Sequence, residues 1–166
     1  MNAYRAANQG STGDSGLIRI GTTSTHTKAY FAGIRGVTTG LNDAIAVMID
    51  SNGQLGTVSS SLRFKEQIQD LATISGRIHQ LRPVSFHYKG QAGQAHYGLI
   101  AEEVDQVLPE LAVRGRDGQV ETVAYHELPP LLLAEVQKQQ KRLEALEAEN
   151  AILKSQLSEI LRRLNR

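Results

Sequence analysis

The sequence predicts an α+β protein: a short Gly-rich β segment, a small mixed α+β unit and a C-terminal helix that forms a parallel coiled coil. Two observations carry this prediction. Glycine is densest in the first third of the chain, and the spacing of apolar residues changes along the chain from short β-type runs to an unbroken heptad pattern. The predicted division is a polar leader at 1–16, a β-rich segment at 17–58, a mixed unit at 59–127 and a coiled-coil helix at 128–166.

Composition and charge argue against several classes of protein. The 18 Lys and Arg residues nearly balance the 17 Asp and Glu residues, so no strong field gathers nucleic acid or an anionic membrane. The chain has no cysteine, and its five histidines lack compact ligand spacing, so we expect no metal site and no cofactor. No apolar run approaches the roughly 20 residues that span a bilayer, and residues 1–16 lack a signal-peptide core. We expect a soluble chain with no nucleic-acid or membrane partner and no export signal of its own.

The β-rich segment has four short runs of β-forming residues, which are Leu17–Gly21, Ala29–Ile34, Ala44–Ile49 and Gln54–Val58. Between the last two, Asn52-Gly53 predicts a hairpin, because this pair tolerates the positive φ angles of a type I′ turn. The runs are too short and too poor in large side chains for a self-sufficient sheet. Such strands would pair with copies from other chains, as in an interwoven fibre stalk; the alternative is a loose Gly-rich linker.

The mixed unit opens with a predicted helix and a pair of strands. Apolar residues at spacings of three and four mark one face of the helix, and they are Ile68, Leu71, Ile74, Ile78 and Leu81. Pro83 ends the helix. Val84–Tyr88 then alternates like a strand, and a second strand is predicted around His96–Ile100.

A second helix and a second hairpin complete the unit. The helix is predicted at Ala101–Leu108 and is stopped by Pro109. The hairpin pairs Leu111–Arg114 with Val120–Ala124 across the turn Gly115–Gly118. This block is the only part of the chain with the pattern of an ordinary core.

The C-terminal segment carries the clearest pattern in the chain. Pro129 and Pro130 stand where a helix can begin. From there, positions alternate by four and three over more than four heptads, and eight of these ten are apolar: Leu132, Val136, Gln139, Leu143, Leu146, Asn150, Leu153, Leu157, Ile160 and Leu164. An apolar stripe this narrow, which we call the seam, is typical of identical helices that pack against one another. We therefore expect these residues to form the oligomer contacts. The alternative is one long amphipathic helix that packs on its own domain.

Asn150 indicates how the helices align. If Leu132 takes heptad position d, Asn150 falls at a, where a polar side chain is tolerated best beside its own copies at the same level. The pattern therefore favours a parallel, in-register homo-oligomer. The pairs Arg142 with Glu147 and Glu149 with Lys154, from g to e, are of opposite charge. Leu-rich layers at positions a and d are compatible with both two and three helices, so they do not fix the number of copies.

The junction between the β-rich segment and the mixed unit carries candidate chemistry. Ser60 is followed five positions later by Lys65. A serine hydroxyl becomes a nucleophile when a base accepts its proton, and a neutral lysine amine can do so where burial or a nearby cation lowers its pKa. Arg63 offers that cation or an oxyanion donor. The alternative role of these serines is to cap a helix that begins near Leu62.

Four motifs in order carry a family resemblance, and they are Ser60–Glu66, Leu81–Tyr88, His96–Val104 and Leu108–Glu110. Together they resemble the peptidase S74 family. This family comprises the C-terminal intramolecular chaperone domains of phage endosialidases and tail fibres, and the related self-cleaving region of myelin regulatory factor. The resemblance runs from about Ser59 to the terminal helix.

The resemblance implies autoproteolysis by a Ser–Lys dyad, in a motif Ser-Asp-x-Arg-x-Lys, after a trimeric fibre has formed. Ser60 matches the nucleophile, Arg63 the motif arginine and Lys65 the base, while Ser61 stands where the family has aspartate. The cut would lie between Ser59 and Ser60, and each molecule would turn over once.

The resemblance also implies partners and a location. We expect a homotrimer that includes the upstream fibre chain, in a virion tail fibre or a phage-like injection device assembled in the host cytoplasm. The alternative function is a non-cleaving structural trimerisation or fibre-tip binding module with an inert Ser–Lys pair. A hydrolase of external substrates is a third class, and no pocket-forming motif in the sequence supports it.

Overall fold

The computed structural model describes residues 15–22, 25–71, 73–90 and 93–165, and the chain separates into two units, 1–45 and 46–166. The described residues of the first unit form turns and extended stretches but no helix or strand. Neither Leu17–Gly21 nor Ala29–Ile34 is a strand in the single chain. Because these runs were expected to need other copies as partners, the β stalk stays a prediction. The predicted leader, 1–16, lies outside the described residues except for its last two positions.

The second unit holds the regular structure and confirms the α+β class. Its strands are β1 (Met48–Ile49), β2 (Leu55–Gly56), β3 (Val84–Phe86), β4 (His96–Gly98), β5 (Ala112–Arg114) and β6 (Val120–Val123). They pair as three antiparallel hairpins, β1–β2, β3–β4 and β5–β6. The helices are α1 (Ala101–Val107) and α2 (Leu128–Leu164), with 3-10 helices at Leu62–Phe64, Ser75–Gln80, Pro109–Leu111 and Tyr125–Glu127. In the described part of the chain, no helix is long and apolar enough to cross a bilayer.

The hairpin at Asn52-Gly53 is confirmed, but its predicted turn type is wrong. Gly53 has a φ of 82°, whereas Asn52 is not among the described residues with positive φ. The Asp50 carbonyl accepts a hydrogen bond from the Gly53 N–H at 2.9 Å, and its carboxylate accepts from the N–H groups of Asn52 and Gln54. This is a type I turn followed by a left-handed glycine, and the Asp50 side chain favours it over type I′.

The helix predicted from Ile68 to Leu81 is largely wrong. Among the described residues of this range, only Ser75–Gln80 is helical, and it is a 3-10 helix. Gln67, the residue before the predicted helix, has a φ of 52°, and Ile68 is exposed, so the chain does not enter a right-handed helix there. The other four apolar residues of the predicted face still pack against the core.

The core lies between α1, the β5–β6 hairpin and the first turns of α2. Its buried apolar side chains are Val104, Leu108, Leu111, Val123 and Leu131. Since Leu131 is only 7% exposed, the beginning of α2 belongs to this packed unit, which we call the body (residues 71, 73–90 and 93–135).

Beyond the body, α2 stands alone in the single chain. Every described residue from Val136 onward is exposed. At 1.5 Å per residue, the free part of the helix is roughly 40 Å long. Only the first turns of α2 pack on the chain's own domain, as the alternative to a coiled coil predicted. The coiled coil itself stays a prediction.

Candidate active site

Ser60 and Lys65 are in contact. The Lys65 Nζ donates a hydrogen bond to the Ser60 Oγ at 3.1 Å. Residues five apart would diverge on a regular helix or strand, but the 3-10 helix Leu62–Phe64 turns the chain between them. This short helix begins at Leu62, where the sequence predicted a helix start, although Ser61 at its N-cap makes no side-chain capping bond.

The surroundings of this pair are open to solvent in the single chain. Ser60 and Lys65 are both exposed, and the neighbouring Leu62 and Phe64 are 72% and 65% exposed. The Arg63 guanidinium lies over the Phe64 ring, 4.7 Å from its centroid. Within the described residues Arg63 makes no hydrogen bond to Ser60, so the two candidate catalytic groups in contact are the hydroxyl and the amine.

Two of the sequence motifs that follow are joined in space. Arg82 forms an ion pair with Glu103, which raises the pKa of the guanidinium through a hydrogen bond and the opposite charge. The strands of the same two motifs pair in register, with Val84 opposite Gly98 and Phe86 opposite His96. The ion pair thus links the residue two positions before β3 to α1, and the register joins β3 to β4.

A buried carboxylate that the sequence did not reveal joins the 3-10 helix Ser75–Gln80 to α2. The Glu135 carboxylate accepts hydrogen bonds from the Ser75 hydroxyl at 3.2 Å and the Lys138 amine at 3.1 Å, and its other oxygen lies 3.0 Å from His79 Nε2. The bonds from His79 and then Lys138 lower the pKa of Glu135. Ser75 and His79 both contact the carboxylate, so their arrangement is not a serine–histidine relay, in which the imidazole accepts the serine proton.

An apolar groove runs beside this carboxylate. Its walls come from the 3-10 helix Ser75–Gln80, the β3–β4 hairpin and the start of α2, and its volume is about 830 Å³. Neither Ser60 nor Lys65 lines it. Among the described residues, no group of three or more His, Asp or Glu side chains is placed to hold a metal ion.

Comparison with known proteins agrees with the motifs. The model of the peptidase S74 family, described as the chaperone of endosialidase, matches residues 60–113. No curated protein matches the chain. The match begins at Ser60 and includes Lys65, both strands of the β3–β4 hairpin and α1, while α2 lies outside it. This match supports the resemblance to the peptidase S74 family over residues 60–113.

Proposed function

We propose that this chain is a homotrimeric intramolecular chaperone, which assembles an upstream tail-fibre or tailspike protein and then releases itself by cutting between Ser59 and Ser60. The site of action would be a virion tail fibre or phage-like injection device, assembled in the host cytoplasm. The observation that carries the proposal is the 3.1 Å contact between Lys65 Nζ and Ser60 Oγ, at the start of the family match.

The contact supports a specific reaction. The Ser60 Oγ attacks the carbonyl carbon of Ser59, and its proton passes to the neutral Lys65 amine. The peptide C–N bond breaks, and Lys65 returns the proton to the departing Ser60 nitrogen. An ester then joins the Ser59 carbonyl to the Ser60 Oγ. Water hydrolyses this ester, which leaves a carboxylate on Ser59 and restores the Ser60 hydroxyl.

The exposure of the site supports a dependence on assembly. An amine accepts a proton only when it is neutral, and burial in a less polar environment favours the neutral form. In the single chain the pair is open to water between the exposed Leu62 and Phe64. Copies that pack over these two side chains would exclude water from the site, so that cleavage follows correct assembly.

Denaturing mass spectrometry of freshly purified protein tests this function. We expect wild-type protein to give fragments 1–59 and 60–166, and Ser60→Ala and Lys65→Ala to stay whole. Lys65→Arg should also stay whole, because arginine keeps the positive charge but cannot lose its proton at working pH. Ser61→Ala is the matched control, since it removes the neighbouring hydroxyl and should leave the cut in place.

Two results would contradict the proposal. Wild-type protein that stays intact through long incubation would show an inert pair and leave the non-cleaving structural module as the function. Fragments that persist in the Ser60→Ala variant would show that another nucleophile or a contaminating protease makes the cut.

A further inference from the structure

The apolar groove is continuous with the predicted oligomerisation seam. Leu132 and Val136, which begin the seam, form one wall of the groove. The opposite wall is part of the body and includes Leu81, Val84 and Leu99. Leu132 and Val136 are 51% and 59% exposed, so this apolar surface is open in the single chain.

The groove lies on one particular side of the seam. With Leu132 at position d, the other groove residues near the start of α2 are Leu128 and Glu135, which both take position g. Leu133 takes position e, on the other flank of the seam. It is 58% exposed and does not line the groove of its own chain. The body therefore covers the g flank of α2 and leaves the e flank bare.

Charges farther along α2 indicate what faces the g flank. In a parallel, in-register coiled coil, each g residue meets the e residue of the following heptad on the neighbouring helix. Arg142 would meet Glu147, and Glu149 would meet Lys154, so both contacts join opposite charges. Within the described chain none of these four side chains has an ion-pair partner. At the start of α2, the same pairing of a g residue with the e residue of the following heptad would join Leu128 of one copy to Leu133 of its neighbour.

We propose that the groove receives Leu133 from the α2 helix of a second copy of this chain, beside Leu128. This inference rests on the proposed homo-oligomer and adds a contact that a plain coiled coil lacks, because the body of one copy touches the helix of the next. The contact joins two different surfaces, so it closes only when the copies form a ring. It also gives a role to Leu133, which is exposed in the single chain although it lies outside the seam.

Disulfide cross-linking tests the contact directly, because the chain has no cysteine of its own. The Leu128→Cys/Leu133→Cys double variant should form covalent oligomers on oxidation, whereas each single variant should not. Within one helix the two positions are separated by roughly 7.5 Å of rise alone, which is too far for a disulfide. Arg142→Cys/Glu147→Cys is the matched control for the distal coiled coil.

The two pairs separate the possible outcomes. Cross-links in both pairs show that Leu133 of one copy reaches Leu128 of the next, and they support the groove contact when Leu133→Gln also weakens the oligomer more than Leu161→Gln does. Cross-links only in the distal pair would overturn it and leave the proposed oligomer intact. No cross-link in either pair, together with a monomer mass for wild-type protein by light scattering, would overturn the oligomer and the contact together.

A second variant covers the case in which Leu128→Cys disturbs the body. Leu133→Gln changes a side chain that is exposed in the single chain, so any weakening reports on contact with another copy. We expect the dissociation constant of the oligomer to rise by at least about tenfold, because every copy loses the burial of one leucine side chain. Leu161→Gln, at a comparably exposed e position beyond the body, is the control and should have a smaller effect. Equal effects of the two changes would contradict the contact.

Discussion

Gly98 has no room for a side chain. A β-carbon there would lie 2.7 Å from the Tyr125 hydroxyl oxygen and 3.3 Å from Cε1 of Phe86. The same hydroxyl accepts a hydrogen bond from the Leu99 N–H at 2.9 Å. Tyr125 belongs to the 3-10 helix that leads directly into α2, so this close contact ties strand β4 to the beginning of the long helix.

Replacing Gly98 with alanine should therefore destabilise the body. We expect a loss of about 1 to 3 kcal/mol in the free energy of unfolding, typical of an overpacked site, measured by urea titration. Gly56→Ala is the control, because Gly56 is also a strand glycine but a β-carbon there would meet nothing within 4 Å. A loss at Gly98 no larger than at Gly56 would show that the contact is loose.

The Gly98→Ala/Tyr125→Phe double variant separates the effect of crowding at Gly98 from the effect of losing the Tyr125 hydrogen bond. Tyr125→Phe alone should cost about 0.5 to 1.5 kcal/mol, because it leaves the Leu99 N–H without its partner. Combined with Gly98→Ala, it removes the atom that the new methyl group meets first. We expect the combined loss to be smaller than the sum of the two single losses.

The sequence predicts the contacts of some residues better than those of others. The motif paired Ser60 with Lys65, but it left open whether the two meet within one chain or between subunits, and the structure has them in contact within one chain. The contact of Gly98 with Tyr125 joins positions far apart in sequence, and neither residue type signals it. The sequence did not predict the burial of Glu135 for a related reason. A glutamate on a long helix is expected to face solvent, and its burial depends on how the body packs against α2.

At the scale of elements, Glu135 joins two pieces that regular secondary structure does not connect. The 3-10 helix Ser75–Gln80 contributes Ser75 and His79, and α2 contributes Lys138 as well as the carboxylate itself. Ser75 is fully buried, so its hydroxyl depends on this carboxylate for a hydrogen bond. The ionised form of Glu135 therefore stabilises the docking of α2 on the body.

This arrangement predicts a dependence of stability on acid. The pKa of Glu135 in the folded chain is below its ordinary value of 4.5, so folding favours the ionised form. Its contribution is complete above pH 4.5 and is lost as the pH falls through the lowered pKa. Thermal unfolding at several pH values should show Glu135→Gln less stable than wild type near neutrality and less sensitive to pH below 4.5.

Glu144→Gln, at an exposed position on the same helix, is the control for this measurement and should follow the wild-type curve. Parallel curves for wild type and Glu135→Gln across the acid range would show that the carboxylate does not support the docking of α2.

The elements also show where apolar spacing alone misleads. The residues from Leu71 to Leu81 have helical spacing and pack on the core, but the backbone there is turns and a 3-10 helix. Burial of a face decides which residues point inward, and it does not require a regular α-helix. In contrast, α1 and the β5–β6 hairpin follow their predicted positions closely, because Pro109 and the turn glycines set their ends locally.

At the scale of the whole molecule, the apolar stripe of α2 is exposed in the single chain, and the proposed oligomer would cover it. In proteins most of the stability of a helix comes from packing of its apolar face, which the proposed coiled coil would supply. The sequence predicted this helix well, because a heptad pattern is a property of the chain itself. The number of copies is different: it depends on how several chains pack, and the Leu-rich layers do not decide it.

Asn150 tests the alignment of the assembled molecule. In the single chain its Nδ2 donates to the Leu146 carbonyl at 3.1 Å, and in the proposed seam it would also meet its own copies. Asn150→Ile should raise the melting temperature, by about 2 to 4 °C for each kcal/mol gained, while loosening the choice of oligomer number or orientation. Thermal unfolding and analytical ultracentrifugation measure the two effects.

Ser155→Ile is the matched control, because it adds the same side chain at position f, away from the seam. It should leave the oligomer number unchanged. An Asn150→Ile variant that is less stable and keeps its oligomer number would place Asn150 outside the seam and overturn the heptad assignment.

The short loop that joins Ser60 to Lys65 has a further consequence for the products. Both residues lie on the same side of the proposed cut, so the released piece inherits the nucleophile and its base, and the fibre inherits neither. Under the proposed cleavage, the finished fibre would carry no machinery that could reverse its own maturation.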